Sequence, residues 1–518
     1  MMSSPRSLRI LRKGISGYPV AGILTMVSAG AFAQETLSGD GMGRAISIVP
    51  RVSFTETLTD NVRLTNVGRQ SEQITQISPG IRVNLNGARV KGYFDYALNQ
   101  TFYAQNSSPS RSENALNTFG TLEAIDNWAF LDFSGSISQQ SVSAFGTQSI
   151  DNTSINSNRT EVSNYRISPY VRGQLGDLAS YDARYSRSVT SSEAAGASGI
   201  AITDALVNVR ADRAFGNLGW LANASRQKVD FSSGRPTELD RLSLGLSYAL
   251  TPQLSVSVNA GREANNYTSL DKKNYLTSGF GVNWSPSPTT RLQATRDQRS
   301  FGEAHSLNFE HRTARTVWRF TDSKDVSATP NKGAFGSLGS IYDLLFSQFA
   351  SLEPNTASRA QLVNSYLLAN GINPNAVVVN SFLSSALTLQ RRQDLSFALL
   401  GVRDTITFIA TRSKSSRLDP VSAGVDDLTA SAVVRQHGLS VNYTHRLTPD
   451  YSLGVLVSQQ NASGVSNLQG STIRFLNLSL TGRVGKQATV SVGGRHVVSS
   501  GASPYVENAL TGNLIVRF

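Results

Sequence analysis

Residues 506–518 read VENALTGNLIVRF and point to the fold class. Apolar and polar residues alternate along this segment, which is the period of a β-strand with one apolar and one polar face. The strand runs to the terminal Phe518, where the end of an ordinary domain would fray. The closing strand of a membrane barrel avoids that difficulty, whereas an ordinary sheet edge is the alternative that this segment alone leaves open.

The ending also resembles the C-terminal signature of bacterial outer-membrane barrels. In those proteins a final aromatic residue on the lipid-facing side is read by the barrel assembly machinery. The resemblance implies that Leu514, Val516 and Phe518 form an assembly signal and that the assembly machinery is a partner.

The N-terminus has the three parts of a secretory signal. These are the basic residues Arg6, Arg9, Arg12 and Lys13, an apolar run from about Ile15 to Ala29, and a small-residue site ending at Ala33. An uncleaved anchor is the alternative, but the run is interrupted and falls short of about 20 residues. We therefore predict a cleaved signal peptide over residues 1–33, a short lead-in over 34–45 and an exported barrel over 46–518. The chain contains no Cys, which excludes disulfides and a lipid anchor on Cys.

The charge balance is basic. The formal charge is +12, and residues 1–33 hold four basic residues and no acid, so the rest of the chain carries +8. Export argues against nucleic acid as a partner. The excess fits an anionic substrate, or outer-membrane lipid and lipopolysaccharide, while dispersed surface charge without a function is the alternative.

The clearest strand pair lies at residues 241–261. Leu242, Leu244 and Leu246 share one face, Ser and Gly share the other, and the pattern repeats after Pro252. Apolar outer residues suit lipid and small polar inner residues suit a wet lumen. By this parity the candidate lumen-facing residues are Ser243, Ser255, Ser257, Asn259, Asn513 and Arg517. They would tune permeation, and plain solvation of the interior is the alternative.

Short turns stand at residues 175–177, 215–217, 250–252, 285–288, 447–449 and 485–487, with further turns at 312–315 and 401–404. The turns near residues 216, 251 and 287, and again those near 449, 485 and the C-terminus, are separated by about 33 to 36 residues, the length of one barrel hairpin. Polar segments at 107–112, 147–158, 191–199 and 413–427 read as the longer outer loops. The fold class is therefore all-β, a transmembrane antiparallel β-barrel of the outer-membrane type with about 16 to 22 strands.

One region interrupts this rhythm. Residues 341–349 and 358–369 have helical spacing, and the second stretch stops at Asn370-Gly371. We predict a two-helix insertion over residues 325–380 that acts as an outer loop, a cap or a plug.

Several segments of the sequence resemble those of a known family. They are residues 50–57, 59–62, 77–81, 301–302, 307–311 and 401–405, together with the two-helix insertion. The resemblance is to outer-membrane β-barrel proteins associated with PEP-CTERM and exosortase systems. It implies a pore or envelope component in exopolysaccharide export or biogenesis, with polysaccharide and periplasmic export components as partners. The matching segments are turns and strands and not catalytic signatures, so no functional residue is transferred from the family to this chain.

The five His residues show no metal-binding spacing, and the sequence contains no nucleophile elbow or phosphate-binding loop. We expect no catalytic residue, cofactor or metal. Two alternatives to a pore stay open. One is a barrel-embedded hydrolase that uses Ser440 or Ser458 with His445, or His311 with Glu310. The other is a structural barrel that conducts nothing.

Overall fold

A computed structural model describes residues 45–518 except residues 106, 195–198, 233, 328–381, 385–386, 420–425, 466–469 and 486. The described residues form 22 strands and one short helix. The strands are β1 Ile46–Thr59, β2 Glu72–Asn86, β3 Val90–Tyr103, β4 Arg111–Ile125, β5 Ala129–Ser141, β6 Arg159–Leu175, β7 Ala179–Ser192, β8 Ile200–Phe215, β9 Leu218–Phe231, β10 Thr237–Thr251, β11 Leu254–Asn265, β12 Lys273–Ser287, β13 Thr290–Arg299, β14 Gly302–Arg312, β15 Thr316–Ser327, β16 Thr388–Leu400, β17 Asp404–Arg417, β18 Val433–Arg446, β19 Tyr451–Ser463, β20 Ser471–Val484, β21 Ala488–Gly501 and β22 Tyr505–Arg517. The helix is α1, Asp427–Ser431.

The strands close into a ring. Each strand pairs antiparallel with its neighbours in the sequence, and β1 also pairs with β22 from Arg51↔Arg517 to Thr59↔Ala509. A closed ring leaves no free strand edge. The structure confirms the predicted fold class and places the strand number at the top of the predicted range.

The two faces of the wall differ as the alternation predicted. On β10, Leu242, Leu244 and Leu246 are 57%, 63% and 52% exposed on the outer face. The intervening Ser243 and Ser247 are half-buried on the inner face. Large apolar side chains left exposed on the outside of a closed barrel form the surface that meets lipid.

Short turns join the strands at one end, and longer loops join them at the other. We name these the periplasmic and outer ends, as is usual for outer-membrane barrels. Gly216 and Gly485, in two of the predicted turns, both have a φ of +66°. Only glycine adopts this conformation without strain, so the need for a positive φ explains both residues.

Some boundaries differ from the sequence interpretation. β4 begins at Arg111, β7 continues to Ser192 and β17 continues to Arg417, so strands occupy parts of three predicted outer loops. Polar strands can extend beyond the membrane because cross-strand hydrogen bonds continue in water. Asp325–Ser327 belong to β15, so the predicted insertion begins later than expected.

The rest of that insertion at residues 328–380, the predicted signal over 1–33 and nearly all of the lead-in lie outside the described residues. Within the described part of the chain, no helix has the length and apolar character needed to cross a bilayer.

Candidate functional site

The predicted lumen-facing residues lie on the inner face of the wall. Ser243, Ser255 and Ser257 are half-buried on the neighbouring strands β10 and β11. Asn259 donates a hydrogen bond from Nδ2 to Oδ1 of Asp297 on β13, at 3.0 Å. The structure therefore brings Asn259 and its partner together across the intervening strand β12.

The other two predicted lumen residues lie where the barrel closes. Asn513 donates hydrogen bonds to the hydroxyls of Ser53 and Thr55, at 2.8 and 2.7 Å. Arg517 stands opposite Arg51 in the β1–β22 register. A part in permeation stays a prediction for all six residues.

The C-terminal residues lie on the outer face. Leu514 and Phe518 are 39% and 68% exposed, and the Phe518 N–H donates to the Pro50 carbonyl at 3.0 Å. The terminal aromatic is thus hydrogen-bonded to β1 while its ring remains accessible. Its recognition by the assembly machinery stays a prediction.

The candidate hydrolase residues do not meet. Ser440 and Ser458 face each other on the inner wall, whereas His445 lies on the opposite face and contacts Oδ1 of Asp404 at 2.7 Å. His311 and Glu310 are consecutive residues of β14 and therefore point to opposite faces. Neither pair can act as nucleophile and base.

The loop between β5 and β6 folds against the inner wall. We call residues 142–158 the inner loop. The hydroxyls of Tyr103 and Tyr505 donate to the carbonyls of Thr153 and Gln148, at 2.9 and 2.5 Å. The Ile155 N–H donates to the Val62 carbonyl in the loop after β1, at 2.8 Å. These bonds run from β3 across the closure to β22, so the loop is a fixed part of the outer end.

An ion-pair network holds the inner loop to the wall. The guanidinium of Arg495 on β21 contacts Asp151 of the loop at 2.5 Å and Glu507 of β22 at 2.7 Å. Thr59 on β1 donates a further hydrogen bond to Glu507 at 2.9 Å. Burial raises the pKa of Asp151, but the Arg495 charge and hydrogen bonds from Ser154 outweigh it and lower that pKa to about 2. Asp151 is therefore a carboxylate at neutral pH.

A second contact joins the inner loop to α1. Ser143 Oγ and the Ala144 N–H each donate a hydrogen bond to the Asp427 carboxylate at 2.6 Å. Ala144 also packs with buried Leu428, Val434 and Ala462. The inner loop follows β5 and α1 follows β17, about halfway around the 22-strand ring. The contact therefore joins opposite sides of the outer mouth.

Below the inner loop, β5, β6 and β7 carry a stack of aromatic rings and guanidinium groups. The rings of Phe130 and Tyr170 stack at 5.0 Å with an angle of 15° between them. The Arg172 guanidinium lies over Phe130 at 4.3 Å, and that of Arg184 lies over Tyr170 at 3.9 Å. Arg184 also pairs with Asp132 at 2.8 Å. Each cation–ring contact contributes roughly 0.5–2 kcal/mol.

The stack continues onto β2, β3 and β4. Tyr93 and Phe119 face each other across β3 and β4, and Phe119 remains 45% exposed on the inner face. The Arg82 guanidinium lies 5.8 Å from the Tyr93 ring. We call the following inner-wall residues the arginine–aromatic panel: Arg82, Tyr93, Phe119, Phe130, Tyr170, Arg172 and Arg184.

Sequence reasoning missed this panel, although the sequence carries a signal for it. Tyr93 and Phe94 are consecutive strand residues, so one of the two rings must point into the lumen. An aromatic residue on the polar face of a barrel strand is such a signal. The arginines that cover the rings come from neighbouring strands, and the sequence does not give the register between those strands.

Within the described residues no group of three or more His, Asp or Glu side chains is arranged to hold a metal ion. The inner wall instead offers guanidinium groups, carboxylates and ring faces, which bind by charge, hydrogen bonding and stacking.

No family model and no curated protein matches the sequence. Among solved structures, the FrpB iron transporter from Neisseria meningitidis (F5-1 variant) is 10% identical with a TM-score of 0.47, over 91% of this chain and 82% of that one. The siderophore receptor PirA from Pseudomonas aeruginosa is 10% identical with a TM-score of 0.43, over 91% and 80% of the two chains. Likeness at this level carries no information about what this chain binds.

A closed ring of strands with an exposed apolar outer face is the structure of a protein that crosses the outer membrane. This chain is an outer-membrane β-barrel.

Proposed function

We propose that the barrel passes an acidic saccharide through the outer membrane, as a pore or envelope component of exopolysaccharide export. The observation that carries this proposal is the arginine–aromatic panel on the inner wall. Sugar rings stack their C–H faces on aromatic side chains, and uronic carboxylates accept paired hydrogen bonds from guanidinium groups. The resemblance to exosortase-associated barrels supports the polysaccharide class.

The panel has both properties, on β4 and on β6, with β5 between them. Phe119 offers an exposed ring face inside the barrel, where no lipid reaches it. Arg172 is exposed beside the Phe130–Tyr170 stack. Asp132 pairs with Arg184, and Asp95 pairs with both Arg51 and Arg82. Asp182 stands opposite Arg172 in the β6–β7 register, but no ion pair among the described residues includes Arg172, so its guanidinium can bind a solute.

Planar-bilayer conductance tests the proposal. An oligosaccharide of uronic acids should block the current of the purified barrel at lower concentration than a neutral oligosaccharide of equal length. The double variant Arg172→Gln/Phe119→Ala should weaken this block by about tenfold or more, because it removes one charge and one ring face.

The matched control is Arg291→Gln. Arg291 is an exposed inner-wall residue of β13, outside the panel. Its replacement should leave the block unchanged. Equal block by acidic and neutral oligosaccharides, or equal loss in both variants, would contradict the proposal.

A specific observation favours a second candidate, a barrel that is closed at rest. The contact of Ser143 and Ala144 with Asp427 joins opposite sides of the outer mouth. A barrel held in this way conducts little until the contact opens. Conductance of the wild-type protein near zero, rising when Asp427 is replaced, would support this candidate over a pore that is always open.

A further inference from the structure

We propose that the outer face of β13–β18 binds the phosphate groups of lipid A, the glycolipid of the outer leaflet. The inference is independent of what passes through the lumen. It rests on a continuous row of basic side chains around the outside of the barrel.

The row follows directly from the strand register. Six basic residues lie on six consecutive strands, and each is the cross-strand partner of the basic residue on the next strand. They are Arg296, His305, Lys324, Arg391, Lys414 and Arg435. We call this set the basic row. A second pair, Arg412 and His437, lies beside it on β17 and β18.

The row lies on the lipid-facing surface. Towards the periplasmic end, Arg391 is followed on the same face by Leu395, and Arg435 is followed by Leu439, which are 36% and 43% exposed. Residues of one strand separated by an even number share a face. The same basic residues therefore stand at the outer edge of the apolar surface.

The height of the row fits a headgroup. Arg435 and Tyr443 are separated by eight residues of β18, which span about 27 Å along the strand. At the usual strand tilt of about 35–45° this corresponds to roughly 20 Å across the membrane, close to the height of the apolar band. With Tyr443 beside the periplasmic turn, the row reaches the headgroup level of the outer leaflet.

The carboxylates nearby neutralise only part of the row. Glu303 pairs with Arg296 at 2.6 Å, and Asp322 contacts Arg391 at 2.8 Å and His305 at 3.2 Å. No ion pair among the described residues includes Lys324, Lys414 or Arg435.

Lys414 and Arg435 are both exposed and directly opposite each other. Like charges in such a pair are destabilising unless an anion lies between them. A lipid phosphate at this height supplies that anion, and basic residues at a membrane surface attract anionic lipid. Lys414 and Arg435 lie close enough to share one phosphate, and the row extends over six adjacent strands about 4.8 Å apart, which is long enough to reach a second phosphate of the same headgroup.

Native mass spectrometry of the full-length barrel in detergent tests the site, with diphosphorylated lipid A as the probe. The variant Lys414→Gln/Arg435→Gln should bind lipid A about tenfold more weakly than wild type. The matched control Arg187→Gln/Arg262→Gln removes two exposed outer-face arginines whose cross-strand partners are all uncharged. This control should bind as wild type does.

Two further arms separate the headgroup from other ligands. Dephosphorylated lipid A should bind as weakly to wild type as lipid A does to the variant, and equimolar inorganic phosphate should not displace bound lipid A. Equal binding of both lipids, displacement by inorganic phosphate, or a control that loses as much as the variant would overturn the proposal.

The change of gel mobility on boiling shows whether the variant is folded. If the double variant does not fold, the proposal is tested instead by lipid A binding to the single variant Arg435→Gln and by the salt dependence of lipid A binding to wild type. Binding through exposed charges should weaken as ionic strength rises. Binding insensitive to salt would then overturn the proposal.

Discussion

Ser143 Oγ donates a hydrogen bond to Asp427 Oδ1 at 2.6 Å, and this bond joins the inner loop to helix α1 across the outer mouth. The second carboxylate oxygen accepts from the Ala144 N–H. Burial, together with the nearby charge of Asp426, raises the pKa of Asp427 above its ordinary value. One carboxylate therefore holds a contact between two loops that lie far apart in the sequence.

Asp427→Ala should release the inner loop from α1. The substitution leaves two donors without their acceptor, which costs about 1–3 kcal/mol at a buried site. The expected result is higher single-channel conductance and faster proteolysis within residues 142–158. Asp126→Ala, in a periplasmic turn, is the control and should change neither. An unaltered channel in Asp427→Ala would show that this contact does not close the mouth.

The attachment of the inner loop through Asp151 should depend on pH in a defined direction. Its pKa is lowered from 3.8 to about 2, so the carboxylate stabilises the folded loop above pH 3.8. This contribution is lost as the pH falls from about 4 to about 2. The backbone N–H groups of Thr153 and Ser154 donate to Asp151, so their hydrogen exchange reports the loss.

Wild-type protection of these amides should fall over that pH range, and Asp151→Asn should already be less protected at neutral pH and nearly independent of pH. Asp230→Asn, which alters a carboxylate paired with Lys228, is the control. Equal pH profiles in wild type and Asp151→Asn would assign the effect to another group.

Gly279→Ala should destabilise the barrel. A Cβ at residue 279 would stand 1.9 Å from Asp297 Oδ1 and 2.8 Å from the Arg296 carbonyl oxygen. The clash disturbs the Asn259–Asp297 hydrogen bond and one strand pairing, at a cost of about 1–3 kcal/mol. Gly245→Ala is the matched control, since its Cβ would have no neighbour closer than 3.5 Å. The temperature at which heating changes the gel mobility should fall for Gly279→Ala and stay unchanged for Gly245→Ala.

Phe518→Ala should lower the yield of assembled barrel more than its stability once assembled. The backbone hydrogen bond to Pro50 is retained, and only the exposed ring is lost. Val484→Ala, which truncates another exposed apolar residue at the periplasmic end, is the control. Quantifying the heat-modifiable band in outer-membrane fractions measures assembly. Equal yields for the two variants would argue against an assembly signal.

The barrel fold could be predicted from the sequence because its causes are local. The alternation of Leu242, Leu244 and Leu246 with small polar residues sets the two faces, and glycines such as Gly216 mark turns that need a positive φ. The side-chain period of a strand is two residues, so a short window is enough to separate lumen from lipid. The same rule placed Ser243 and Asn259 on the inner wall.

The partners of those residues were decided only by the tertiary structure. Asn259 reaches Asp297 two strands away, Arg495 reaches Asp151 across the closure, and Arg435 stands beside Lys414. Each contact depends on how whole strands are aligned with their neighbours. A shift of one strand by one residue would send its side chains to the opposite face. Periodicity along the chain therefore determined which side each residue faces, while closure of the ring determined what each residue meets.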